Sequence, residues 1–341
     1  MRRLSLRVLD ALVLLWTVTT LTFALIHLAP GDPASLLISP TATAAEVARQ
    51  RAQMGLDAPL LVQYGRWLSA LLHGDLGVSI ATSRPVSLVI AESLPVSLLL
   101  GVSSLALSFV LGVWLGGWQA LRAKPRGDSL LTVLTTTAYA APTFWLSLAM
   151  VTVVTSGAAR LGVPVWMRLP AFGLHEPAAL ATGLDAWRDL LRHAVLPVLV
   201  LSLPGAAGVA RFARRALLDA ATAPHVQAAT ARGLSRRRIE LRYVLRTAVS
   251  PLLVLFGLML PGVIAGSVFV EQIFAWPGLG RAMMSAIASR DYPVVLGLTL
   301  MYAGVVILSN LAADLLVMQL DPRRRDAANV MDGVARNRAR T

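Results

Sequence analysis

The sequence predicts an all-α polytopic membrane protein with six transmembrane helices. Hydrophobic residues make up 56% of its 341 residues and charged residues 14%, whereas soluble chains average about 25% charged residues. The apolar residues also fall into long runs that contain no Asp, Glu, Lys or Arg. Crossing a bilayer takes about 20 apolar residues, and lipid leaves unpaired backbone groups unsatisfied, so each run is expected to form a helix.

Six such runs follow one another along the chain. The first is longer than the apolar core of a cleaved signal peptide and lacks a small-residue cleavage site, so we interpret it as a span. The fourth is the shortest and contains two prolines, and the sixth continues past Asp314 to Leu320. The runs are residues 11–31, 93–121, 129–159, 193–210, 247–270 and 292–313.

The distribution of basic residues predicts that both termini lie in the cytoplasm. The segments flanking the spans form two alternating sets, which hold 21 and 10 of the Lys and Arg residues. The rich set is the N-terminus, residues 122–128, residues 211–246 and the tail; the poor set is residues 32–92, 160–192 and 271–291. Because cytoplasmic loops carry the excess of Lys and Arg, the net charge of +13 indicates topology and not a nucleic-acid partner.

These assignments divide the chain into four parts. The first span ends the N-terminal part, residues 1–31, and residues 32–92 form a periplasmic or extracellular segment. Two stretches of that segment, residues 44–53 and 59–72, are predicted to be amphipathic helices. Spans two to six lie in residues 93–320 together with a cytoplasmic loop, residues 211–246, and residues 321–341 form a basic cytoplasmic tail.

Several kinds of catalytic and metal chemistry lack their residues. The absence of cysteine excludes disulfides and thiolate metal sites. A nucleotide-binding P-loop needs Gly-Lys-Ser/Thr, but the single lysine, Lys124, is followed by Pro125. The five histidines are too scattered for a metal site, and no catalytic group of residues is evident. We therefore expect a non-catalytic membrane conduit that has no energy source of its own.

The cytoplasmic loop 211–246 is predicted to hold two short helices. Pro224 suits the first position of a helix and Gly233 the position just past its end, while Ser235 suits the N-cap of the second helix. An apolar stripe follows at helical spacing, formed by Leu241, Val244, Leu245 and Ala248. Arg236 to Arg238 occupy the first turn of this helix, where the helix dipole disfavours cations. We therefore expect them to contact either lipid phosphates or an acidic partner.

The residues from Ala228 to Ile239, continuing to Pro251, resemble the EAA loop of permease subunits of binding-protein-dependent ABC importers. Gln227 departs from that pattern, which has Glu at this position. Other motifs resemble the dipeptide, oligopeptide and nickel branch of this family and extend the likeness along nearly the whole chain. They are Pro30–Pro33, Gly55–Asp57, Gly74–Gly77, Pro142–Leu146, Glu271–Arg281, Arg290–Pro293 and Leu320–Arg323.

The resemblance implies a type I ABC importer permease in the bacterial inner membrane. Such a permease pairs with a second homologous permease subunit, two ATP-binding subunits that bind ATP and Mg, and an extracytoplasmic substrate-binding protein. The expected ATPase-coupling residues are Gln227, Ala228, Ala229, Ala231, Arg232, Gly233 and Leu234. Trp276, Pro277 and Gly278 form an apolar turn, either a contact for the binding protein or an aromatic anchor among lipid headgroups.

Peptides are the substrate class that the resemblance favours, with nickel chelates and glutathione as alternatives. An ion-coupled secondary transporter is a weaker alternative, because Asp314 is the single Asp, Glu, Lys or Arg residue within the spans and is expected at a cytoplasmic interface. Two Gly-x-x-x-Gly pairs, Gly112 with Gly116 and Gly262 with Gly266, predict close helix packing. That packing is expected either within the chain or against the second permease subunit.

Overall fold

The computed structural model describes residues 2–28, 43–53, 55, 57–122, 125–164, 167–176, 183–262 and 267–320. Helices dominate these ranges, and no β-sheet forms within them. The predicted all-α class is therefore confirmed. The Pro30–Pro33 motif, the side chain of Asp314 and the basic tail lie outside what the structure describes.

Twelve helices follow one another within the described ranges. Two of them, α6 and α9, contain a short π-helical segment, at Val153–Gly157 and Glu240–Val244. The helices are α1 (Arg2–Leu28), α2 (Ala44–Gln53), α3 (Leu60–Leu72), α4 (Val86–Leu121), α5 (Pro125–Ala140), α6 (Thr143–Arg160), α7 (Leu184–Ala221), α8 (Pro224–Ala231), α9 (Arg236–Met259), α10 (Val268–Ile273), α11 (Leu279–Ala288) and α12 (Tyr292–Leu320).

Among the described residues, five helices are long and apolar enough to cross a membrane: α1, α4, α7, α9 and α12. The helices α5 and α6 pass the same test as a pair, but they are bent by 102° at the break before Thr143. Pro142 causes this break, since proline lacks a backbone N–H and disfavours a helical conformation at the residue before it. Counting the bent pair as one span gives the six that the sequence predicts.

Two predicted spans have different boundaries in the structure. The fourth, predicted as residues 193–210, is part of the 38-residue helix α7, which holds Pro197 and Pro204. The fifth, predicted as residues 247–270, is wrong at its C-terminal end, because α9 ends at Met259 and residues 268–270 belong to α10. The end of α9 could not be predicted because apolar residues continue on both sides of it. The length of α7 was underestimated because charged residues within this helix interrupt the apolar run.

The predicted helices of the segment 32–92 are confirmed as α2 and α3. Helix α2 begins with a capping box, in which the backbone N–H and hydroxyl of Thr43 both donate to Oε2 of Glu46, at 2.7 and 2.8 Å. These two hydrogen bonds hold the pKa of the exposed Glu46 carboxyl below its usual value, and the bond from the backbone N–H has the larger effect. Aromatic stacking of Phe23 on Trp67, with a ring separation of 5.7 Å, holds α3 against α1.

The residues group into two compact units along the chain. The first comprises Met1–Leu99, Phe172–Leu180 and Ser267–Ile307, and the second comprises Leu100–Ala171, Ala181–Gly266 and Leu308–Thr341. In the second unit, α5 is tied to α7 by a two-point ion pair in which Nε and Nη2 of Arg214 donate to the carboxylate of Asp128, at 3.1 and 2.7 Å. The division of the sequence at residues 31, 92 and 320 remains a prediction.

Glycines bring α4 and α7 into close contact in the second unit. A Cβ added at Gly112 would lie 2.5 Å from the Cβ of Val209, and one added at Gly116 would overlap the carbonyl oxygen of Ala210. The Gly112–Gly116 pair therefore packs within the chain, one of the two predicted alternatives. Gly262 has no neighbour within 4 Å of an added Cβ among the described atoms, and Gly266 lies outside the described residues.

We expect Gly116→Ala to destabilise the protein by about 1–3 kcal/mol, because the new methyl group overlaps backbone atoms of α7 that cannot move independently. Thermal unfolding of the detergent-solubilised protein measures this change. Gly117→Ala is the matched control, since its Cβ would lie 3.7 Å from the nearest side-chain atom, Cδ1 of Leu217. Equal effects of the two substitutions would contradict the close contact at Gly116.

Candidate functional site

The predicted coupling segment forms a helical elbow between two membrane-length helices. Helix α7 ends at Ala221, the eight-residue helix α8 follows at Pro224, and α9 begins at Arg236. Pro224 occupies the first turn of α8, as predicted, where its missing N–H costs no helical hydrogen bond. The predicted pair of helices is therefore confirmed, although the second is the first part of the long helix α9.

Gly233 ends α8 in a left-handed backbone conformation, with φ of +72°. The N–H of Gly233 donates to the carbonyl of Thr230 at 2.9 Å, and that of Leu234 donates to the carbonyl of Ala229 at 3.4 Å. This pair of bonds defines a Schellman C-cap, which favours glycine because other residues are strained there. A Cβ at Gly233 would meet no atom within 4 Å, so backbone conformation and not space requires the glycine.

One face of α8 is buried and the other is exposed. Val226 and Ala229 are 4% and 3% exposed, and Val226 belongs to an apolar cluster with Leu217 of α7 and with Val244 and Ala248 of α9. Of the seven predicted coupling residues, Ala229 therefore faces inward, and the role of all seven in coupling remains a prediction. Leu234 is half-buried, and the exposed residues are Gln227, Ala228, Ala231, Arg232 and Gly233.

Two side-chain hydrogen bonds fix α8 to the helices on either side. Nε2 of Gln227 donates to the carbonyl of Thr222, just past the end of α7, at 3.0 Å. Nε2 of His225 lies 3.0 Å from the hydroxyl of Thr247 in α9. Because that hydroxyl donates its proton to the carbonyl of Tyr243, His225 must be the donor to Thr247. Gln227 thus has a local role that a glutamate could not fill, since an ionised carboxylate donates no hydrogen bond.

The predicted apolar stripe on α9 is only half right. Val244 and Ala248 are buried at 2% and 1% exposure, whereas Leu241 and Leu245 are 57% and 36% exposed. The π-helical segment Glu240–Val244 changes the residues per turn, so regular α-helical spacing fails for Leu241, which lies within it. Ser235 occupies the predicted N-cap position of α9, but its side chain makes no capping hydrogen bond.

Arg236 joins the start of α9 to the end of α4. Its Nε donates to Oε1 of Glu240 at 2.7 Å, and its Nη2 donates to the carbonyl of Leu121 at 2.8 Å. The carboxylate and the carbonyl dipole at the end of a helix both favour a cation. The unfavourable placement of Arg236 in a first helical turn is therefore offset by these two contacts.

In the first unit, the motif Glu271–Arg281 is organised around a fully buried carboxylate. Glu271 is 0% exposed, and its Oε1 accepts hydrogen bonds from the hydroxyls of Ser97 and Ser267, at 2.7 and 2.6 Å. Its Oε2 accepts from the backbone N–H groups of Gly280 and Arg281, at 2.7 and 3.1 Å. Four donors and the positive end of α11 thus stabilise the buried charge.

Glycines allow the backbone to approach this carboxylate. A Cβ at Gly278 would lie 2.5 Å from Cδ of Glu271, and one at Gly280 would lie 2.6 Å from Cα of Val268. The N–H of Leu279 donates to Oγ of Ser97 at 2.8 Å, so Ser97 links the carboxylate to the start of α11. Sequence reasoning placed Glu271 in an outer connecting segment and missed its burial, because the donors come from distant parts of the chain.

The turn Trp276–Gly278 does not form an exposed aromatic anchor. Trp276 is 1% exposed and Gly278 is also buried, while Pro277 is exposed. The interpretation of Trp276 as a headgroup anchor is therefore wrong, because the indole packs inside the unit. Pro277 is the exposed member of this trio, and its contact with a binding protein remains a prediction.

A second buried carboxylate explains the motif Arg290–Pro293. Asp291 is 2% exposed and accepts hydrogen bonds from the Ser79 hydroxyl at 2.5 Å and from the backbone N–H groups of Ile80 and Ala81, at 3.0 and 3.2 Å. It lies directly before α12, while Ser79 follows the Gly74–Gly77 turn. Asp291 therefore anchors the end of the segment 32–92 to the start of α12.

Comparison with known proteins decides the family. Residues 108–326 match the model of the binding-protein-dependent transport system inner membrane component, and residues 1–101 match its N-terminal component. The chain belongs to this family. It is accordingly a permease of the ABC-importer class and a multi-pass protein of the bacterial inner membrane, which confirms the predicted resemblance, fold class and location.

Curated relatives of this permease align over nearly their whole length. The oligopeptide transport system permease protein AppB of Bacillus subtilis is 35% identical over 93% of this chain and 97% of the relative. The probable D,D-dipeptide permease DdpB of Escherichia coli is 36% identical over 90% and 92%. The glutathione permease GsiC of Salmonella paratyphi A is 34% identical over 94% and 97%.

Among solved structures, the permease matches a chain of the MetNI methionine ABC transporter in an inward-facing conformation. The two chains are 16% identical with a TM-score of 0.48, over 69% of this chain and 97% of the other.

We expect Glu271→Gln to destabilise this permease by about 1–3 kcal/mol, since an amide cannot accept from all four buried donors and leaves at least one unsatisfied. The thermal unfolding midpoint in detergent measures the loss. Glu92→Gln is the control, because Glu92 is 54% exposed in its pair with Arg84 and such pairs contribute about 0–1 kcal/mol. A Glu271→Gln protein as stable as the Glu92→Gln protein would disprove the anchoring role.

Proposed function

We propose that this permease forms half of the translocation pathway of a peptide importer and receives the energy of ATP through α8. The observation that supports this proposal is the two-sided character of α8. Its inner face is packed into the protein, while its outer face presents small side chains at Ala228 and Ala231. Small exposed residues let a groove of another protein approach the helix backbone closely.

The contacts of α8 suit it to transmit force to two spans at once. The apolar cluster of Leu217, Val226, Val244 and Ala248 joins it to α7 and α9, and Gln227 and His225 add hydrogen bonds on either side. A well-packed core moves as a body and does not deform continuously. Displacing α8 would therefore carry α7 and α9 together, as rigid-body alternating access requires.

The proposed partners follow from this division of labour. Two separate ATP-binding subunits bind ATP and Mg and hydrolyse the nucleotide, while this chain is non-catalytic. A second permease subunit completes the pathway, and an extracytoplasmic binding protein delivers the substrate. Both termini and α8 lie on the cytoplasmic side, a topology supported by the excess of Lys and Arg in the flanks that contain them.

Peptides are the proposed substrate class. The relatives named above are an oligopeptide, a D,D-dipeptide and a glutathione permease, and glutathione is itself a short peptide. Uptake of labelled peptides by vesicles that contain the assembled importer tests the assignment, with glutathione as the second candidate. If the vesicles took up neither class of compound in an ATP-dependent manner, the assignment would be rejected.

We expect Ala228→Arg combined with Ala231→Arg to weaken association with the ATP-binding subunits by roughly tenfold, because two guanidinium groups cannot fit where small side chains dock. Co-purification and ATPase activity of the reconstituted importer measure the effect. Ala288→Arg is the control, since Ala288 is also exposed but lies in α11. Full ATPase binding by the double variant, with normal membrane insertion, would refute α8 as the docking helix.

A second substitution series separates backbone conformation from side-chain size at Gly233. Gly233→Val should reduce ATP-driven transport, because a β-branched residue cannot hold the left-handed conformation that ends α8. Gly233→Asn should retain most of the transport, since Asn tolerates this conformation and the surrounding space is open. Equal transport by the Val and Asn variants would show that the turn does not depend on this backbone conformation.

A further inference from the structure

A basic cavity lies where α4 ends and α9 begins. It has a volume of about 680 Å³ and is lined by Ala120, Leu121, Arg122, Arg236, Arg237 and Glu240. Three guanidinium groups thus face one carboxylate, and that carboxylate is already engaged by Arg236 at 2.7 Å. The remaining positive charge suits an anion, and the volume is within the range typical of small-molecule sites, about 300–1,000 Å³.

Two of these arginines have guanidinium N–H groups that can bind a ligand. Within the described part of the chain, no hydrogen bond or ion pair engages the guanidinium groups of Arg122 and Arg237, and both side chains are exposed. Arg236 is different, because its contacts with Glu240 and with the carbonyl of Leu121 make it part of the wall. The planar guanidinium group binds phosphate oxygens in a two-point geometry, which makes phosphate the preferred anion.

The two helices that line the cavity are both candidate membrane spans. Both α4 and α9 are long and apolar enough to span a membrane, and the cavity lies at the last residue of one and the first residues of the other. The ends of transmembrane helices lie at the headgroup region of the bilayer. A phosphate there is most abundant as the headgroup of a phospholipid.

Exposed apolar side chains continue from the cavity along the same two helices. Trp118 and Trp114 are 40% and 65% exposed, and they precede Arg122 by one and two turns of α4. Leu241, 57% exposed, follows Arg237 by about one turn of α9. A basic cavity beside an exposed apolar surface matches an amphiphile with a phosphate headgroup and hydrocarbon chains.

We propose that Arg122 and Arg237, in the open cavity beside Arg236, bind the phosphate of an anionic phospholipid. The site is independent of α8 and of the ATPase contact assigned above. Its occupant would join the ends of two spans by adding an anion between their guanidinium groups. An acidic surface of a cytoplasmic protein is the competing occupant, but it accounts for the charge and leaves the adjacent apolar surface without a partner.

Native mass spectrometry of the full-length chain in detergent tests this proposal. Phosphatidylglycerol and phosphatidylcholine with the same acyl chains serve as probes. We expect phosphatidylglycerol to bind roughly tenfold more tightly, and Arg122→Gln combined with Arg237→Gln to abolish that preference. Arg238→Gln is the matched control, because Arg238 belongs to the same arginine run but does not line the cavity. The control should bind lipid as the wild type does.

Other results of these lipid-binding measurements would overturn the proposal, each for a different reason. An equal loss in Arg238→Gln would mean that diffuse charge attracts the lipid, and displacement of the lipid by inorganic phosphate at equal concentration would indicate a free-phosphate site. Normal lipid preference in the double variant, with lost binding of the ATP-binding subunits, would indicate a protein interface. Arg237→Lys should keep more of the preference than Arg237→Gln, and this pair decides the matter if the double variant does not fold.

Discussion

Lipid offers no hydrogen-bond partners to the peptide backbone, and this constraint determines where the chain can interrupt its helices. At the interruptions described above, side chains or turns supply the missing partners. Glu271 and Ser97 together accept the N–H groups that begin α11, and Asp291 accepts those of residues 80 and 81. The carbonyl that ends α4 is satisfied by Arg236. The polar motifs of the sequence thus serve largely to bind the backbone groups at helix ends.

Hydrophobicity alone predicted most of the helices, because a single apolar run in a membrane satisfies its backbone hydrogen bonds by forming a helix. It could not locate the end of α9, since apolar residues continue on both sides of that end and carry no boundary signal. It also missed the phase shift at Glu240–Val244, which regular spacing cannot express. Pro224 and Gly233 were placed correctly because their backbone requirements are local and need no knowledge of neighbours.

The candidate site shows the same division between local and distant determinants. The exposed face of α8 follows from its short length and small residues, but the inward orientation of Ala229 depends on packing against other helices. Glu271 was placed in an outer connecting segment because a carboxylate normally marks a solvated segment. Its burial requires donors from Ser97 and Gly280 and space from Gly278, three residues whose joint role appears only after folding.

The side chain of Gln227 affects how the connection between α7 and α8 behaves under different conditions. Its bond to the carbonyl of Thr222 joins two uncharged groups. Such a bond is neither weakened by dissolved ions nor lost on protonation, unlike the attraction between charged side chains. The joint between α7 and α8 should therefore keep its geometry when the osmotic or acid balance of the cell shifts.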